Sequence, residues 1–298
     1  MVRRFALASL LVPLVAGLIG VGAGAASASK PEVQKTNHGH EYPIKGSKNA
    51  GSRSGSSNLI NHLGPVLSTS SQVTAIFWGP SWSGSSFVGD KVTGLDSFYQ
   101  GWTGSGYSTT TTEYPGPGGA LVSGSVTYSG HAFDYSAGPA SPPSTAQIAN
   151  EVLKVVGTPV AGGYYPVYVD LKRGGAGYCA WHDTYTTANN LQFEVAFFFN
   201  LDNDAGCNPN DAWTTHSEPL AALANVSGHE LSEAKTDPQL NAWFDRQGAE
   251  NADKCAWTFN KVSYFPSNKT YWKIQGNWSN NANNTRTGYA KYGCIDGN

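Results

Sequence analysis

Five consecutive residues, His229-Glu230-Leu231-Ser232-Glu233, combine the side chains that bind metals and move protons. On a helix, positions i and i+4 share a face, so His229 and Glu233 present an imidazole beside a carboxylate, with Glu230 near the same edge. This is the layout of the H-E-x-x-H zinc helix with its second histidine replaced by glutamate, and zinc accepts carboxylate oxygen as well as imidazole nitrogen. A zinc hydrolase needs three protein ligands, an open coordination position and a general base. His229 and Glu233 supply two ligands, and Glu230 is the expected base. The third ligand is expected in Gly248-Ala249-Glu250-Asn251-Ala252-Asp253. There Glu250 stands at gluzincin-like spacing with Asp253 as the reserve ligand, one ligating while the other orients a histidine. Carboxylate in place of imidazole softens the preference for zinc and leaves calcium or no metal open. The plain alternative is a hydrogen-bonded helix histidine with solvated glutamates. His182, in Gly177-Tyr178-Cys179-Ala180-Trp181-His182-Asp183, is a second catalytic candidate that lines the cleft or stabilises an oxyanion. Its plain alternative is a surface histidine in a disulfide loop.

The elements that must position these residues show in caps and periodicity. Ser217 before Glu218-Pro219 opens a helix, Pro238 closes it, and Leu220, Leu223, Ala224 and Leu231 make its buried stripe. Residues 73–78, 164–171 and 191–201 read as strands, as do 108–114 and 120–128. Residues 87–99 read as a helix, and so does the run from Ser144 to Gly157. Alternating strands and helices imply an α/β core, with α+β as the alternative. The order strand, strand, helix before His229 predicts a zincin-like small mixed sheet whose active-site helix follows an edge strand. A loop-rich C-terminal part over about 258–298 completes it.

Residues 1–28 read as a signal peptide, with Arg3 and Arg4, an apolar run and Ala26-Ser27-Ala28. Residues 29–58, polar and aperiodic, read as a flexible leader. The leader contains His38, His40 and Glu41, for which a solvated tail is preferred over a metal-binding or removable pro-segment. Residues 59–298 read as a single globular domain. The protein is therefore expected to be secreted, with no membrane association after signal cleavage. Four cysteines in an exported chain predict two disulfides, with Cys179–Cys207 and Cys255–Cys294 favoured because each closes a local segment. Lys and Arg number 19 against 21 Asp and Glu, with no run of like charge, which argues against a nucleic-acid partner. No G-x-S-x-G elbow, P-loop or Rossmann fingerprint is present.

Asn61-His62-Leu63-Gly64-Pro65-Val66-Leu67, with the strand after it and Gly79, resembles the opening of the phosphate-induced, EXORDIUM-like secreted proteins. Gly177-Tyr178-Cys179 with His182 resembles their cysteine-containing loop. Leu223–Pro238, Asn241-Ala242-Trp243-Phe244 and Ala252–Cys255 resemble their late block. The likeness covers most of residues 60–257 and is closest in kind to a bacterial branch with a zincin-like H-E-x-x-E helix. It implies export and a cell-wall component as a partner, and it supplies no activity. Two functions are carried forward. One is an exported zinc-dependent hydrolase, a zincin-type peptidase acting on a peptide or protein. The other is a non-catalytic secreted or cell-wall-associated binding protein.

Overall fold

A computed structural model describes residues 39–47, 57–290 and 292–298. The expected signal peptide and His38 lie outside the described residues. The chain order is β1 (His40–Pro43), β2 (Ile60–Asn61), β3 (Ser71–Trp78), α1 (Ser85–Val88), α2 (Lys91–Trp102), β4 (Val126–Asp134), α3 (Thr145–Val156), β5 (Tyr164–Lys172), β6 (Tyr178–Thr186), β7 (Gln192–Asn200), α4 (Glu218–Thr236) and β8 (Trp243–Phe244). Four short strands and α5 (Asn280–Thr285) follow.

Six strands form one mixed sheet in the order β1-β6-β7-β5-β3-β4. β7, β5, β3 and β4 are parallel, and β6 and β1 add antiparallel at one side. The architecture is mixed α/β. β5 is buried from Tyr164 to Val169 without alternation, the pattern of a parallel strand covered on both faces. Side-chain alternation on β6 separates those faces. His182 points to α4, where Glu233 lies, while Asp183 points to α3 and accepts a 2.5 Å hydrogen bond from Thr145 Oγ1.

α4 begins where the caps indicate. Ser217 Oγ accepts from the Leu220 amide at 3.3 Å, Pro219 sits in the first turn, and Asp237 closes the helix. Leu220 to Thr236 are buried all round rather than along one stripe, which carries the helix carboxylates into the interior. α3 has the expected Ser144 cap, reinforced by Gln147.

Several expectations are corrected. Residues 108–114 are not a strand: Ser108, Thr110 and Thr112 hydroxyls bond the carbonyls three residues back, which holds the segment in turns, and the strand is β4. The helix expected over 87–99 splits at Gly89, whose φ of 51° breaks it into α1 and α2. Residues 178–186 form strand β6 rather than a loop. β7, the strand before α4, lies inside the sheet and not at its edge. The edge is β1, drawn from the expected flexible leader.

Cys179–Cys207 and Cys255–Cys294 are joined as disulfides, and no described cysteine is free. Among the described residues no helix is long and apolar enough to cross a membrane.

Candidate metal centre

Three imidazoles and three carboxylates alternate in a closed ring. His40 Nδ1 faces Glu250 Oε1 at 3.4 Å, and Glu250 Oε2 faces His182 Nε2 at 3.5 Å. His182 Nε2 is 3.6 Å from Glu233 Oε2, which is 3.1 Å from His229 Nε2. His229 Nε2 is 3.9 Å from Asp253 Oδ1, and Asp253 Oδ2 closes the ring on His40 Nε2. The members come from β1, β6, α4 and the turn after β8. The register places His40 directly across from His182, so both rings share the face that looks at α4. The Asp253 amide donates to Glu233 Oε1 at 2.9 Å, which ties the turn to the helix. Glu230 stands beside the ring, grouped with His182 and Glu233.

Burial makes this arrangement expensive unless its charges are matched. His182, His229, Glu230 and Glu233 are 0 % exposed. Burial raises the Glu233 carboxyl, but His229 and His182 outweigh it and hold it well below the usual range. Burial pushes the Glu230 and Glu250 carboxyls well above it. Burial lowers the His40 imidazole, yet Asp253 and Glu250 bring it up to about 10. His182, likewise lowered by burial, is brought up to about 9 by Glu233 and Glu230. Without a metal, these shifts hold Glu233 ionised and keep protons on His40, His182, Glu230 and Glu250.

Three overlapping groups bring ligand atoms within 4.8 Å of one another: His40, Glu233 and Glu250; His182, Glu230 and Glu233; and His229, Glu233 and Asp253. Glu233 belongs to all three. Among the described residues, both ring nitrogens of His182, both oxygens of Glu230, and Oε2 of Glu233 and of Glu250 have no hydrogen-bond partner. Buried polar atoms are seldom left so, and a mixed nitrogen and oxygen donor set of this kind fits a divalent cation.

Gln275 distinguishes the groups. Its Nε2 donates to the Ala252 carbonyl at 2.8 Å, and its Oε1 accepts from the Trp257 amide at 3.1 Å and from Tyr42 Oη at 2.5 Å. These partners allow one orientation of the amide. Its remaining N–H therefore meets His229 Nδ1 at 3.0 Å, and that nitrogen must accept. The His229 proton is then on Nε2, the nitrogen that faces Glu233. His182 has no such restriction, so the group of His182, Glu230 and Glu233 offers the most available lone pairs.

The residues singled out in the sequence thus lie together, in a different grouping. Asp253, not Glu250, shares a group with His229 and Glu233, while Glu250 falls with His40. Glu230 and His182 are both buried and fall in one group with Glu233. His40 was placed in a solvated tail and instead completes the ring. Gly39 permits this, because a Cβ there would lie 1.9 Å from the His182 carbonyl oxygen. Gln275 carried no sequence signal. No family model, no curated protein and no solved structure matches the chain.

Proposed function

We propose that the protein is an exported zinc-dependent hydrolase of peptidase type, with the cation held by Glu233, His182 and Glu230. The observation that carries this reading is the overlap of three ligand groups on one ionised, buried carboxylate surrounded by unpartnered donor atoms. Imidazole among the donors favours zinc over calcium, which prefers an all-oxygen shell. A bound zinc supplies Lewis-acid polarisation of a carbonyl. Glu250, facing His182 at 3.5 Å, is the carboxyl placed to take and return a proton. His229, its tautomer set by Gln275, directs an N–H at the Glu233 carboxylate. An extended peptide is the substrate class because β1, which carries His40, is among the described residues the sheet edge beside the ring and offers its outer side to an added strand.

Metal analysis of the purified protein tests the reading, with peptide hydrolysis measured before and after chelation. About one zinc per chain and chelator-sensitive hydrolysis are expected, both lost in Glu233→Gln. Metal-free protein without hydrolysis would sink it. A second reading, a non-catalytic EXORDIUM-like wall-associated protein, draws on the burial of every ring member but His40, which is 15 % exposed, and predicts that metal-free outcome.

A further inference from the structure

An open cleft of about 240 Å³ lies between the loop before β3, the start of β7 and the end of α4. No residue of the histidine–carboxylate ring lines it. It is smaller than a drug-sized site and suits a ligand of a few heavy atoms. One wall is apolar, formed by Val66, Leu67 and Leu191. The other is a chain of amides: Gln239 Nε2 donates to Gln192 Oε1 at 2.8 Å, and Gln192 Nε2 donates to Thr184 Oγ1 at 3.0 Å.

Glu194, 2 % exposed, is among the residues that line the cleft. Its Oε1 is 3.5 Å from Thr184 Oγ1, and its Oε2 has no hydrogen-bond partner among the described residues. No Lys, Arg or His lines the cleft. Burial pushes the Glu194 carboxyl well above the usual range. The one basic group opposing this is His182, already shared between Glu233 and Glu250, so an incoming cation takes the place of the carboxyl proton. A buried carboxyl with an open acceptor calls for a donor from outside. One carboxylate with neutral amides is too few ligands for a dication, whereas an ammonium offers three N–H donors and a compact charge.

We propose that this cleft binds a primary alkylammonium group, its nitrogen on Glu194 Oε2 and its hydrocarbon chain against Val66, Leu67 and Leu191. The group has two sources, a free amine or the lysine side chain of a peptide. Isothermal titration of the full chain with n-butylammonium, n-butanol and Nα-acetyl-lysine methylamide tests the proposal. Butylammonium is expected to bind at least tenfold more tightly than butanol. Glu194→Gln is expected to abolish that preference with an unchanged circular dichroism spectrum. Tighter binding of the lysine derivative assigns the peptide source, and tighter binding of butylammonium the free amine. If Glu194→Gln does not fold, Leu191→Trp at the rim fills the cleft and should abolish binding of all three. Equal affinity for butanol and butylammonium, no binding of any probe, or undiminished preference in Glu194→Gln overturns the proposal.

Discussion

Two acidic groups in this molecule are neutralised in different ways. In the ring, Glu233, Glu250 and Asp253 face imidazoles. At the end of β4, Asp134 and Glu151 are balanced by Lys154, whose Nζ contacts Asp134 and lies 3.4 Å from Glu151 Oε2 and 3.0 Å from Ser136 Oγ. An ammonium has donors only, so it neutralises the pair and leaves no lone pair for anything else. An imidazole can exchange its proton for a cation. Lys154 is also 53 % exposed, so water shares its work. The fixed, wet ammonium marks a structural device, and the dry, exchangeable imidazoles mark a chemical one.

The comparison can be broken by removing one partner from each group. Glu233→Gln should cost about 3–5 kcal/mol in urea unfolding, the range for stranding buried charge, whereas Lys154→Met should cost no more than about 1 kcal/mol. Similar losses would show that the two groups do the same job. Replacing Cys255 and Cys294 by serine should cost about 2–5 kcal/mol and weaken metal retention, because the bridge anchors the turn that carries Asp253. The Cys179 and Cys207 pair, three residues from His182, should behave alike. Equilibrium dialysis of both double variants would show it.

Smaller effects sharpen the contrast. Zinc at a hundredfold excess over its dissociation constant should stabilise by about 2.7 kcal/mol, seen as a rise in Tm that chelator reverses. Gly39→Ala should cost about 1–3 kcal/mol by pushing β1 off His182, and solvent exchange at the His40 amide would report it. Glu151 gives a pH signature. Burial, with Asp134 adding to it, pushes its carboxyl up to about 7 from an ordinary 4.5. The folded state then binds more protons than the unfolded between those values, so this group's contribution to stability falls as pH rises from 4.5 to 7. Asp134 is shifted in the opposite direction, so its contribution is complete above its ordinary 3.8 and constant across this interval. Glu151→Gln should therefore stabilise by about 1 kcal/mol at pH 8 and leave stability at pH 4 unchanged. Equal gains at both pH values would remove the titration from the account.

Legibility followed the range of the forces. α4 was readable because its signals are local: Ser217, Pro219 and Pro238 mark the ends, and i,i+4 geometry pairs His229 with Glu233. The disulfides were readable because each closes a nearby segment. β6 was not, since both of its faces are buried and Tyr178 to Asp183 show no polar alternation. β1 was less readable still. Its one large buried side chain, Tyr42, is held by His229 and Trp257 ring stacking and by Gln275 and Asn225, all far along the chain. Without those neighbours, four extended residues in a polar stretch look like a tail.

The contact between His40 and Asp253 spans 213 positions, and that between Tyr42 and Gln275 spans 233. Contacts this distant in sequence form late, because the intervening loop must close before they reward it. During synthesis at about 5–20 residues per second, β1 waits roughly 10–40 s before its partners exist. β6, complete at Thr186, has an open edge for about the last third of that interval, and the slot for Tyr42 is finished only with Gln275. The assembled ring is therefore a timestamp on the chain, formed only after nearly all of it has been made.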